Sequence, residues 1–228
     1  MPHTHPQLTL GIGLRDSATF ASFLSDGNEL VVRALQDEAE AMVYLWGPTG
    51  SGRTHLLQAL CHQAVHRGAP PAYLPLRDLV SLSPAMLEGL EQQAVIGIDD
   101  VQAVAGTPQW EEALFHLYNR VRGAGHRLVV SGDAAPHGLG LALPDLVTRL
   151  GWGPVFRLAP LDDAGKRRAL QLRAQSRGME LSDEVAAYLL RRSPRDMASL
   201  FALLERLDQA SLAAQRKLTI PFVRQLLR

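Results

Sequence analysis

Eight consecutive residues, Gly47-Pro48-Thr49-Gly50-Ser51-Gly52-Arg53-Thr54, constrain this chain more than any other part of it. They follow the apolar run Met42-Val43-Tyr44-Leu45-Trp46. They precede a helical stretch, 54–67, whose Leu56, Leu57, Leu60 and Val65 fall largely on one face. A buried strand, a glycine-rich turn and a helix, in that order, make a loop whose backbone N–H groups converge on phosphate oxygens. Glycine permits the tight turn, and the positive end of the next helix adds to the attraction for an anion. Gly47, Pro48, Thr49, Gly50, Ser51, Gly52, Arg53 and Thr54 are therefore the expected phosphate-binding set, with the Thr54 hydroxyl suited to touch Mg²⁺. Arg53 stands where this pattern asks for lysine. Its planar fork is wider than an ammonium point charge. The expectation is retained nucleotide binding with slow or no intrinsic hydrolysis.

Further strand candidates lie at 72–75, 94–98, 128–131 and 154–158. They alternate with helix candidates at 29–40, 77–93 (in pieces, restarted at Ser83-Pro84), 109–123 and 143–150. Such alternation predicts an α/β fold, a parallel sheet flanked by helices. After Pro160 the pattern changes. Residues 162–177, 182–192, 195–214 and 219–227 read as four helices with no strand between them, a small all-α lid domain. The expected division is a tail at 1–13, a nucleotide-binding core at 14–158 and a helical lid at 159–228.

The second chemical signal is Val95-Ile96-Gly97-Ile98-Asp99-Asp100, an apolar strand ending in two acids about fifty residues after the phosphate loop. Asp99 suits Mg²⁺ ligation, and Asp100 suits orienting or activating a water. Ser131-Gly132-Asp133 ends the third strand, where Asp133 or Ser131 can position that water. Two arginines stand out. Arg195 begins a lid helix, from which a side chain can fold over phosphates in cis. Arg149 lies late in the core, at an edge from which it can reach a neighbour's nucleotide in trans.

No apolar run approaches the roughly 20 residues of a bilayer span, and the N-terminus lacks a basic segment followed by an apolar one. Cys61 is the only cysteine, which excludes an intrachain disulfide and a cysteine-rich zinc site. A cytoplasmic protein is the expectation. The eight histidines show no metal-ligand spacing. Net charge is zero, but residues 1–157 carry 10 Lys+Arg against 15 Asp+Glu, and residues 158–228 carry 13 against 8. An acidic core and a basic lid favour head-to-tail association or an acidic partner. They provide no basic stripe of the kind that grips duplex DNA.

Taken together, these residues resemble AAA+ ATPases of the bacterial replication-initiator group, and within it the Hda branch of DnaA-related proteins. The resemblance spans nearly the whole chain. It rests on Asp16-Ser17-Ala18-Thr19-Phe20-Ala21-Ser22-Phe23, Tyr44-Leu45-Trp46, the loop continued through His55-Leu56-Leu57, Leu117-Tyr118-Asn119-Arg120, Leu143-Pro144-Asp145-Leu146, and 214–223 (AQRKLTIPFV). An arginine at the Arg53 position is usual in that branch. The resemblance implies an adenine pocket around Phe20 and Phe23, with His55 beside the loop. It also implies Walker B acids at Asp99 and Asp100, sensor 1 at Asp133, an arginine finger at Arg149 and a sensor 2 arginine at Arg195. It further implies a sliding-clamp-binding peptide at Gln7, Leu8, Leu10 and Ile12, with Gly11 looser than the stiff residue usual before the last anchor. The expected ligand is ADP or another nucleoside diphosphate, with Mg²⁺. The expected partners are DnaA, the polymerase III sliding clamp and a second copy in a homodimer. The activity implied is inactivation of DnaA, a negative control on replication initiation. A self-contained ATPase switch and a non-enzymatic clamp-tethered assembly module are the alternatives. DnaA continues beyond its lid into a DNA-binding domain, whereas this sequence ends at Arg228, so sequence-specific DNA binding by this chain alone is not expected.

Overall fold

Met42–Trp46 (β1) lies inside a five-stranded, wholly parallel sheet with the order β2-β3-β4-β1-β5. The other strands are Pro71–Pro75 (β2), Val95–Asp99 (β3), Arg127–Gly132 (β4) and Val155–Arg157 (β5). The computed structural model describes residues 14, 18–194 and 196–226. The expected clamp-binding peptide and Arg195 lie outside these described residues, as do Asp16 and Ser17. β3 and β4 are buried along their whole length, as strands covered on both faces must be. Register pairs Trp46 with Gly132 and Ile98 with Val130. The C-terminal ends of β1, β3 and β4 therefore stand side by side, at the edge where open α/β sheets bind ligands.

Glu29–Asp37 (α1) and Arg53–His66 (α2) cover one face, where Leu56, Leu57 and Leu60 pack on Val43, Leu45 and Val129. Val65, expected on the same stripe, is 55% exposed. It lies in the last turn, beyond the area the sheet covers. On the other face Pro108–Gly123 (α4) buries Trp110, Leu114 and Leu117 against Ile96, Ile98 and Leu128, and Pro144–Leu150 (α5) adds Leu146 and Leu150. The stretch expected to be helical in pieces is a single turn, Leu76–Leu79 (α3), followed by two 3-10 turns.

α1 stops short of the expected 29–40 because Glu38 is left-handed, with φ 54°. The buried Arg127 guanidinium then donates to the free carbonyls of Leu35 (2.8 Å), Ala34 (3.1 Å) and Glu40 (3.2 Å), satisfying acceptors that a helix end leaves unpaired.

The lid is Asp163–Gln175 (α6), Asp183–Arg192 (α7), Met197–Ala214 (α8) and Ile220–Leu226 (α9), around Leu170, Val185, Leu189, Leu200, Leu204 and Phe222. Asp162, Ser182 and Asp196 accept from the first-turn amides of α6, α7 and α8, a cap worth about 1 kcal/mol at such ends. Core and lid meet at Asn28, which is 2% exposed. Its side-chain amide accepts from Ala159 N–H (2.8 Å) and donates to Ala159 C=O (3.1 Å). Asp26 pairs with Arg168 of the lid, and Leu24 packs on the lid core. No helix among the described residues is long and apolar enough to cross a membrane.

Candidate nucleotide-binding site

The loop after β1 turns through Gly50 (φ +82°) and Gly52 (φ +98°), and α2 starts at Arg53. Positive φ is cheap only for glycine. Gly52 is also where the wall of the site closes in. A β-carbon there would lie 2.5 Å from Cε2 of Phe23. Phe23 follows a 3-10 turn, Phe20–Ser22, fixed by a reciprocal cap between Thr19 and Ser22. His55, on α2, donates from Nε2 to the Thr19 carbonyl at 2.8 Å and lies 5.4 Å from the Phe23 ring. The segment around Phe20 and Phe23 is thus bolted to the glycine-rich loop and the start of α2. From the other side the lid approaches: Met197 N, at the start of α8, lies 3.9 Å from the position of a Gly50 β-carbon.

Two buried donors in the loop, Ser51 Oγ and Arg53 Nη1, have no hydrogen-bond partner among the described residues. Each such group costs about 1–3 kcal/mol when left unpaired. Together with the left-handed glycines and a helix N-terminus, they fit a polyphosphate.

Thr54 donates its hydroxyl to Asp99 Oδ2 at 2.6 Å. Tyr73 donates to the same oxygen at 2.9 Å, and Ser131 Oγ donates to Oδ1. Asp99 is 3% exposed, so three hydroxyls hold its carboxylate in place. Burial, reinforced by the Asp99 charge, pushes the Tyr73 phenol up, which keeps it a neutral donor. A hydroxyl and one carboxylate at this spacing fit Mg²⁺, which takes few protein ligands and completes its shell with phosphate and water. No group of three or more His, Cys, Asp or Glu among the described residues forms a metal cage.

Asp100 sits differently. Its backbone is left-handed (φ +58°), and its amide donates to Ser131 Oγ at 3.2 Å. Arg53 Nη2 holds Oδ1 at 3.1 Å, and Gln102 donates to Oδ1 at 2.8 Å. Arg77 Nε holds Oδ2 at 3.2 Å. Two arginines and an amide thus occupy the carboxylate expected to activate water. Asp133, expected beside it, is exposed, and its amide donates to Gln102 at 3.2 Å. Ser131, not Asp133, joins the acid cluster. Tyr73 and Arg77 carried no sequence signal, since they reach the site through the pairing of β2 with β3; Gln102 reaches Asp100 from two residues along the chain.

Arg149 lies in the last turn of α5. Its guanidinium stacks 3.7 Å from the Trp152 ring centroid, and Arg122 approaches the same ring at 4.6 Å. Trp152 is 51% exposed.

Comparison with known proteins fits this geometry. The family model described as "Hda, lid domain" matches residues 163–227, and that described as "Bacterial DnaA ATPAse domain" matches 84–157. Domain III of the replication initiation protein DnaA from Thermotoga maritima superposes with a TM-score of 0.78 at 23% identity, over 94% of this chain and 97% of that one. Over these two stretches the chain is similar to Hda and to DnaA, and its fold is that of an AAA+ module. AMPPCP-bound DnaA from Aquifex aeolicus matches this chain at TM-score 0.71 and 22% identity, over 86% and 66% of the two chains. The RuvB branch-migration motor of Thermotoga maritima shares the fold at TM-score 0.61 and 18% identity, over 86% and 64%. The five-stranded sheet and the all-α lid are those of an AAA+ module.

Proposed function

We propose that this AAA+ protein is an ADP-binding adaptor that docks on the DNA-loaded sliding clamp and stimulates ATP hydrolysis by DnaA, so preventing re-initiation. One observation carries the reading. Asp100, the carboxylate assigned to hydrolysis, is held by Arg53, Arg77 and Gln102, while Arg149 rests on an exposed tryptophan, Trp152. A residue of the first kind suits binding without turnover, and one of the second suits action on a neighbour.

In this account Gly47–Thr54, His55 and the Phe20–Phe23 segment bind the nucleotide, and Arg195 reaches it from the lid. Bound ADP supplies negative charge that bridges the loop and the lid. Thr54 and Asp99 hold Mg²⁺. Gln7, Leu8, Leu10 and Ile12 dock on the clamp. Arg149 stabilises charge on the phosphoryl group leaving the partner's ATP, an effect that typically supplies 10³–10⁵ in rate. The protein is cytoplasmic and forms a homodimer in its resting state.

The test is release of phosphate from ATP-loaded DnaA with this protein added, with and without clamp-loaded DNA and ADP. Stimulation that requires both is expected. Stimulation that ignores either one would remove that part of the proposal. The closeness of Thr54 to Asp99, 2.6 Å, favours one other reading, a self-contained ATPase. Steady turnover by the protein alone, lost in Asp100→Ala, would replace the adaptor account.

A further inference from the structure

Glu111 is a fully buried acid (0% exposed) in the first turn of α4. Its two carboxylate oxygens face two different loops. Oε1 accepts from the Gly106 amide and Oε2 from the Leu143 amide, each at 2.7 Å. Leu143 is the residue before α5, the helix that carries Arg149. Gly106, left-handed at φ +76°, closes the segment that follows Asp100, and Gln102 of that segment donates to Asp100 (2.8 Å) and accepts from the Asp133 amide (3.2 Å).

A buried charge is costly unless fully satisfied. Here two charge-assisted bonds and the N-terminal end of α4 supply that satisfaction. Only a carboxylate offers two acceptors without presenting an N–H to an N–H; glutamine of the same shape can satisfy one amide and must oppose the other.

We infer that Glu111 is the positioning residue for Arg149: it pins the start of α5 to the loop that follows the acidic strand end. The inference rests on the proposed role of Arg149 in trans. Catalytic groups displaced by about 1 Å lose on the order of 10²-fold in rate, so a loosened α5 should be felt at the partner's nucleotide even though Glu111 touches none of the reacting atoms.

The test is Glu111→Gln in the full chain with three readouts: ADP affinity, hydrogen exchange at the Leu143 amide, and the partner's hydrolysis resolved into its maximal rate and the adaptor concentration for half effect. Expected are ADP affinity within about twofold, faster exchange at Leu143, and a maximal rate lowered roughly 10- to 100-fold with the half-effect concentration unchanged. Lost docking would instead raise the half-effect concentration. Faster exchange with an unchanged maximal rate would overturn the inference, as would unchanged exchange. Should the wild type stimulate nothing, the adaptor account fails while the exchange readout still decides whether Glu111 holds α5. If Glu111→Gln does not fold, Glu111→Asp, one methylene short of both amides, carries the same readouts.

Discussion

Gly52→Ala should damage the glycine-rich loop in two separable ways. The first is torsional. At φ +98° an alanine costs about 1–2 kcal/mol. The second is steric. A β-carbon 2.5 Å from Phe23 Cε2 has to push the ring aside, and overpacking of that kind costs about 1–3 kcal/mol. Together they amount to about 2–5 kcal/mol against a typical domain stability of 5–15. Removing the ring in a Phe23→Ala background should abolish the second part and leave the first. Urea unfolding of wild type, G52A, F23A and the double variant closes the cycle, with an expected coupling of about 1–3 kcal/mol. Titration with a fluorescent ADP analogue should show binding lost in both G52A proteins, because the torsional fault remains. A Gly52→Ala cost that is the same in both backgrounds, within about 0.5 kcal/mol, would refute the view that Phe23 closes on the loop at this residue.

Three other outcomes follow from the geometry. Asn28→Ala removes both hydrogen bonds to Ala159 and should cost about 1–3 kcal/mol, with limited proteolysis detecting a loosened junction near residue 159. Burial pushes the Cys61 thiol up to about 12, so at pH 8 it should resist a disulfide reagent until urea unfolds the chain; rapid native reaction would contradict its burial. The Glu91 carboxyl is held below its ordinary value, first by its own backbone amide and then by the Arg120 side chain. A lowered folded value means that this stabilisation is complete at neutral pH and is lost as the pH falls through the folded value. Arg120→Gln should therefore show a smaller drop in melting temperature than wild type between pH 7 and pH 3.

Most of the fold was legible because its elements are locally written. β1 matches its expected bounds, and the other strands differ from theirs by a residue or so at either end. The glycine-rich loop announces itself by glycine spacing, and the paired acids by the apolar strand before them. What stayed hidden is what the sheet order brings together. Tyr73 ends up on Asp99 because β2 lies beside β3, and Ser131 because β4 lies on the other side. Nothing within a few residues of Arg77 marks it as a partner of Asp100, which lies 23 residues along the chain. Glu111 reads as one more acid at a helix start until the fold seals it between two loops. Helix ends slipped for local reasons, as at Glu38, where a left-handed residue and the Arg127 cap end α1 early.

The central claim is that Arg149 acts on another protein's nucleotide. The most direct measurement is single-turnover hydrolysis of ATP preloaded on DnaA, in the presence of clamp-loaded DNA and ADP, with wild-type protein and with Arg149→Ala. The account predicts that the wild type accelerates hydrolysis and that Arg149→Ala loses roughly 10³-fold or more of the acceleration, with ADP binding unchanged. An Arg149→Ala protein that stimulates as fully as the wild type would contradict it.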